Sequence, residues 1–190
     1  MRLAAGAHVI LGMDLEKADA PAYDAMAEAL DKEFGRLDGI AHIAALLGDR
    51  SPIQFYDVPT WLKVMHVNIN APFILTRTLL PLLFKSPDPA VVFATSSVSV
   101  QGRAYWGAYA ASKFAVEGLM QVLADELDTE QHRVRVNTVN PGRVRSPMRA
   151  KAYPGEDASL LTAPEAVVAP FVFLLGPDSR GVSGCRFDAQ

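Results

Sequence analysis

The chain has 190 residues, half of them apolar, and a formal net charge of −3. That length and apolar share suit one globular domain with a sizeable core. The mild acidity argues against a nucleic-acid partner, which wants a basic face. No apolar run reaches the roughly 18 residues of a membrane helix, which argues against a membrane partner. A single cysteine, Cys185, excludes an internal disulfide framework and suits a reducing cytoplasm.

The opening "MRLAAGAHVILG" has one Arg followed by apolar residues, as a signal peptide does. His8 interrupts it, however, and Asp14 follows without a small-residue cleavage region, so residues 7–12 read as a buried strand. Residues 21–35 read as a helix with Pro21 at its start and Gly35 as its stop. Residues 37–46 form the next strand. Residues 60–84 read as helical, bent or broken near Pro72. A strand at 90–97 ends in hydroxyls, a long helix covers 106–128, and a strand covers 133–140. A helix at 162–175 is expected behind a Thr162–Glu165 capping box, and residues 184–190 hold a last strand.

Alternating strands and helices imply crossover connections, hence an α/β domain over residues 1–190 whose parallel sheet has helices on both faces. In such sheets ligands sit beyond the carboxyl ends of the strands. That directs attention to residues 13–15, 44–50, 95–99 and 140–149. The helix at 106–128 is apolar nearly all round, with Phe114, Val116, Leu119, Met120, Val122, Leu123 and Leu127. One face can cover the sheet; another is expected in a subunit interface, or else in a crowded core.

Tyr109 and Lys113 stand at i and i+4, on one face of that helix. A phenol loses its proton near about pH 10. A neighbouring ammonium favours the phenolate, and a tyrosine so tuned can exchange a proton with a substrate oxygen. Ser96 and Ser97, 13 and 12 residues before Tyr109, sit at a strand's carboxyl edge, where a hydroxyl could hold a carbonyl or simply cap the strand. Asn68 and Asn70 lie in an apolar helix, where Asn is a poor helix former and, if buried, needs partners. Pro141 and Gly142 follow another strand, where backbone can approach a ligand.

In this order and spacing, "VNINA", "TSSVS", "YAASK" and "VNPG" resemble the short-chain dehydrogenase/reductase family, from about residue 7 to the C-terminus. "LLGD", "QGRAYWGAYAASKFAVEGLMQVLADE" and "FDAQ" further resemble its YciK-like bacterial subgroup. The resemblance implies a Rossmann-like doubly wound parallel sheet and hydride exchange between NAD(P)(H) and a small-molecule alcohol/carbonyl pair. It implies that Tyr109 is the general acid/base, that Lys113 lowers its pKa and holds the nicotinamide ribose, and that Asn68 holds a proton-relay water. Ser97 would orient the substrate oxygen, although the usual family spacing is one residue longer and keeps Ser96 as a rival. Asp14 would lie near the adenine, with Ala44 at the end of the family's fourth strand. Pro141, Gly142, Val144 and Ser146 would form the loop beside the nicotinamide. A homodimer or homotetramer through the helices at 71–84 and 106–128 is also implied.

The sequence departs from the family in two places. It contains no TGxxxGxG turn, whose glycines and helix N-terminus cradle a pyrophosphate, so the sheet is expected to be N-terminally incomplete. The expected consequence is that residues 7–12 re-pair with 37–46, pair with another subunit or stay poorly packed. The family's Asn-Ala-Gly after the fourth strand reads Ile43-Ala44-Ala45 here. Two functions follow: an oxidoreductase, or a non-catalytic oligomerising α/β module. Arg143, Arg145, Arg149 and Lys151 could grip an acidic substrate or cofactor phosphate, or form a solvated loop. The four histidines are scattered and one cysteine gives no zinc spacing, so no metal site is expected.

Overall fold

Helix α1 (Ala20–Phe34) starts where Asp19 turns extended and its carboxylate accepts a 3.1 Å hydrogen bond from the Ala22 N–H. It stops at Gly35, whose φ of 71° is a left-handed conformation that glycine adopts without strain. The computed structural model describes residues 10–131 and 133–190.

Four strands follow, β1 (Gly39–His42), β2 (Ala90–Ala94), β3 (Arg135–Asn140) and β4 (Arg186–Asp188), paired in that order and all parallel. Between β1 and β2 run α2 (Val58–Met65) and α3 (Ala71–Leu83); α4 (Gly107–Glu126) joins β2 to β3; α5 (Pro147–Ala152) and α6 (Ala169–Leu175) lie before β4. On one face Val91, Phe93 and Val136 pack against Leu83, Val116 and Met120 of α3 and α4. On the other, Val92 and Val139 pack against Leu174 of α6. Both faces are covered, which explains why β2 reads as a continuous apolar run. Each fully buried Val or Phe contributes about 1.5–3 kcal/mol of transfer free energy.

The polar residues inside β3 are all paired. Arg135, 3% exposed, donates to the Leu174 carbonyl at 2.7 Å and meets Asp88 at 3.0 Å. Asn137 bonds the Val182 carbonyl and the Cys185 N–H, pinning the approach to β4.

Residues 7–9 of the expected first strand lie outside the described residues, and residues 10–12 form no strand; Ile10 is 95% exposed. Of the three fates expected for this stretch, its described part shows poor packing, and β1 pairs only with β2 among the described residues. The helical run at 60–84 does break before Pro72, through a π-helical turn at His66–Asn70. The capping box does not form: Ala163 precedes a 3-10 turn (Pro164–Val167) without a side-chain cap, and α6 starts afresh beside Pro170. Pro164 and Pro170 lack the N–H that one continuous helix would use, and the Thr162 carbonyl is instead taken by the Arg145 N–H at 2.9 Å. Helices α3 and α4 leave Phe73, Phe114 and Val122 exposed. No described helix is long and apolar enough to cross a membrane.

Candidate active site

The π-helical turn sets the first functional side chain. There the Ala71 N–H reaches back to the His66 carbonyl, one residue further than in an α-helix. The widened turn faces Asn68 inward, 1% exposed. Its Oδ1 accepts from the Leu46 N–H at 2.7 Å, and its Nδ2 donates to the Leu46 carbonyl at 2.8 Å and the Ser112 Oγ at 3.0 Å. Asn68 therefore braces the loop after β1 against α4. Both polar ends of the carboxamide engage these partners. Asn70 in the same turn is exposed.

Beyond β2, Ser96 caps a 3-10 turn (Ser97–Ser99). Ser96 lines the cavity in front of Tyr109 and acts to lower the phenol's pKa, while Ser97 is exposed and does not line that cavity. Of the two serines expected from sequence, Ser96 is the one on the Tyr109 cavity, because the 3-10 turn starts at Ser97 and carries that side chain away from it. Thr95 and Ser99 flank this segment, and both donate to Glu117 Oε1, at 2.6 and 2.9 Å. Thr138 of β3 donates to Oε2 at 2.9 Å, and Arg186 Nε lies 3.4 Å from Oε1.

Tyr109, Lys113 and Glu117 share one face of α4 at successive i+4 steps. Lys113, 4% exposed, donates to the Ala94 carbonyl at 2.7 Å, and its ammonium lies 5.7 Å from the centre of the Tyr109 ring. Burial pushes Lys113 down to about 8, against the opposing pull of Glu117. Tyr109 moves the other way from the sequence expectation. Burial raises its pKa above the ordinary 10.0, and the neighbouring Ser96 only partly offsets this. The phenol is therefore held protonated at neutral pH, as a proton donor must be.

A cavity of about 140 Å³ lies before Tyr109, with Ser96, Trp106, Pro141, Gly142, Val144 and Ser146 among its walls. Gly142 has φ 76°, and a Cβ there would meet the Gln190 side chain at 2.8 Å. Ser146 caps α5 by accepting from the Arg149 N–H at 3.2 Å. Asp14 is not brought to this place: it lines a separate cavity with α1 residues and accepts a 3.1 Å hydrogen bond from the Glu16 N–H. Ala44, past the end of β1, is exposed and lines neither cavity. Sequence reading passed over Glu117, although an acid four residues after Lys113 in an apolar helix signals it. Gln190, whose Nε2 donates to the Pro141 carbonyl at 2.7 Å, gave no signal in sequence.

The family model for short chain dehydrogenases matches residues 3–157. The chain belongs to the short-chain dehydrogenase family. The oxidoreductase YciK of Escherichia coli K12 is 52% identical over 165 residues, which are 87% of this chain and 64% of YciK. A short-chain dehydrogenase structure from Pseudomonas syringae superposes with a TM-score of 0.93 at 48% identity, covering 96% of this chain and 73% of that one. Another, from Escherichia coli CFT073 and complexed with NADPH, gives 0.90 at 49% identity, covering 94% and 73%. The fold is thus the Rossmann-like fold of the family's YciK-like group, and the chain spans under two thirds of YciK's length. The nicotinamide-ribose end of a dinucleotide fits the residues present: a buried phenol and a glycine-opened loop line one cavity, and a buried ammonium lies 5.7 Å from the phenol ring. The pyrophosphate end has no glycine-rich turn within these 190 residues.

Proposed function

We propose that this chain carries the catalytic half of an NAD(P)(H)-dependent oxidoreductase that interconverts a small-molecule alcohol and carbonyl compound. The observation that supports this best is the Ser96–Tyr109–Lys113 cluster. Its phenol is raised in pKa by burial, shares a cavity with Ser96 and lies beside an ammonium.

When bound, NAD(P)(H) supplies or accepts the hydride. In the reducing direction Ser96 Oγ donates a hydrogen bond to the carbonyl oxygen and orients it. Tyr109 gives that oxygen its phenolic proton as the carbonyl π pair moves onto it, and in the oxidising direction takes the proton back. The Lys113 ammonium lies close enough to stabilise the phenolate left behind. We assign Pro141, Gly142, Val144 and Ser146 to the nicotinamide wall, and Asn68 to positioning rather than proton transfer. Asp14 and Ala44 keep their proposed cofactor contacts only if the pyrophosphate and adenine run from the Tyr109 cavity toward β1.

The exposed Phe73, Phe114 and Val122 support homo-oligomerisation through α3 and α4. The unpaired Cys185 supports a cytoplasmic location. The test is NADPH binding by fluorescence, followed by turnover of a carbonyl panel with Tyr109→Phe as control. Turnover that survives Tyr109→Phe sinks the reading.

A further inference from the structure

Around Ser96 the local charge runs opposite to that of the chain. The protein is net negative at −3, yet a cavity of about 570 Å³ that shares Ser96, Trp106 and Gly142 with the Tyr109 cavity is lined by Arg103, Arg143 and Arg149 and by no Asp or Glu side chain. Arg149 is already neutralised: it grips Glu156 through Nε at 2.5 Å and a second nitrogen at 2.6 Å, and stacks 3.8 Å over Tyr153. Arg143 acts on Glu156 only at a distance. Among the described residues the guanidinium groups of Arg103 and Arg143 make no ion pair or side-chain hydrogen bond. Arg50 lies outside the lining but stacks on two of its aromatic residues, 5.1 Å over the Trp106 ring and 5.0 Å over the Tyr153 ring. The basic run seen in sequence is split by the fold. Arg143 and Arg149 face Ser96, whereas Lys151 lines a different cavity beside the loop after β1.

We propose that this cavity takes the carboxylate of an oxo-acid, or of the matching hydroxy-acid, and so sets the substrate class of the oxidoreductase site. The proposal rests on the function argued above. Unpaired guanidinium forks match a carboxylate in two-point geometry. Cations gathered without a counter-charge repel one another, and an anion relieves that repulsion. A cleft lined by one sign of charge also concentrates the opposite ion. A carbonyl next to such a carboxylate lies within reach of Ser96, because Ser96 belongs to both cavities. The competing source of negative charge is a cofactor phosphate, and the test separates the two.

Benzoylformate and 1-phenyl-1,2-propanedione have nearly the same shape and differ by a carboxylate in place of an acetyl group. Their binding to the 190-residue chain is measured by calorimetry, for the parent and for the Arg103→Gln/Arg143→Gln double variant. The expected result is about tenfold tighter binding of benzoylformate. That preference should shrink with added salt and vanish in the double variant, with NADPH affinity unchanged. Equal binding of the pair, or no binding of either, overturns the proposal. So does a double variant that loses NADPH affinity yet keeps the preference, since the anion is then the cofactor's phosphate. Turnover reads the underlying function separately. If the dione is reduced with NADPH but benzoylformate is not preferred, only the substrate class fails. If benzoylformate binds through the arginines and neither compound turns over, the oxidoreductase reading fails and the anion site stands.

Discussion

Glu117 and Thr95 are joined by a 2.6 Å hydrogen bond that ties the middle of α4 to the residue just before Ser96. The same carboxylate holds Ser99 on the far side of that turn and Thr138 on β3, so it fixes the segment that presents Ser96 to Tyr109. Its charge also opposes the burial that lowers Lys113. Glu117→Gln keeps an acceptor for the hydroxyls but removes the charge. The Lys113 proton should then leave at a lower pH than about 8, and the basic limb of the rate profile should move down with it. Titrating the lysine side chain by NMR checks this; an unmoved Lys113 midpoint would refute the coupling. Glu117→Ala strands the buried Thr95 and Thr138 hydroxyls, while Ser99 keeps the Ser96 carbonyl at 2.7 Å, and should cost about 2 kcal/mol or more of stability.

The two serines separate by rate. Tyr109→Phe removes the proton donor and should lower kcat by about 10²–10⁴-fold. Ser96→Ala removes a hydrogen-bond donor aimed at the developing oxyanion and should lower it by about 10²-fold. Ser97→Ala touches an exposed side chain outside the Tyr109 cavity and should leave kcat near the parent value. A larger loss in Ser97→Ala than in Ser96→Ala would reverse the assignment.

The i, i+4 spacing of Tyr109 and Lys113 makes their shared face legible from sequence alone, because helical periodicity fixes it. The parallel sheet is legible in part for a similar reason, in the unbroken apolar run of β2. What escaped depends on geometry that periodicity does not encode. A single-residue offset at the start of the turn after β2 exchanges Ser96 for Ser97. Thr162 and Glu165 have capping-box spacing, but the Thr162 backbone is claimed by Arg145 and two prolines interrupt the helix behind it. The lysine was expected to lower the tyrosine pKa, and that expectation ignored burial, which acts on both groups and on Tyr109 is the larger effect. Asp14 fits a family position by order along the chain, yet it lies with α1 on a separate cavity.

His42 at the end of β1 predicts an acid-sensitive stability. Its Nε2 lies 2.9 Å from Thr76 Oγ1, and that hydroxyl donates onward to the Pro72 carbonyl, so the imidazole is the donor to Thr76. The ring stacks on Phe93 with centroids 4.7 Å apart. Burial lowers its pKa from 6.5 to about 4. Between those values the unfolded chain binds the proton and the folded chain does not. The stability is therefore fully present above about pH 6.5 and is lost as pH falls toward about 4. Moving from pH 7 to pH 5 should cost about 2 kcal/mol from this group alone. His42→Gln keeps a donor toward Thr76 and should flatten that slope. Urea midpoints at the two pH values decide it, and an equal slope in parent and variant would sink the assignment to His42.

Asn68 and Asn70, two residues apart in the π-helical turn, should respond oppositely to truncation. Asn68→Ala leaves the Leu46 N–H and carbonyl without their 2.7 and 2.8 Å partners and Ser112 without its 3.0 Å donor, all beneath a side chain that is 1% exposed. Each stranded buried group costs about 1–3 kcal/mol, so a loss of about 2–4 kcal/mol is expected even after local relaxation. Asn68→Asp keeps the acceptor toward the Leu46 N–H but sets a carboxylate oxygen against the Leu46 carbonyl. It should be at least as damaging at neutral pH, and milder at a pH low enough to protonate the new acid. Asn70→Ala, on the exposed side of the same turn, should change the unfolding midpoint little and raise helix propensity slightly. Denaturant melts of the three variants decide the matter: similar effects from Asn68→Ala and Asn70→Ala would mean that the turn itself, rather than the Asn68 brace, holds the β1 loop against α4.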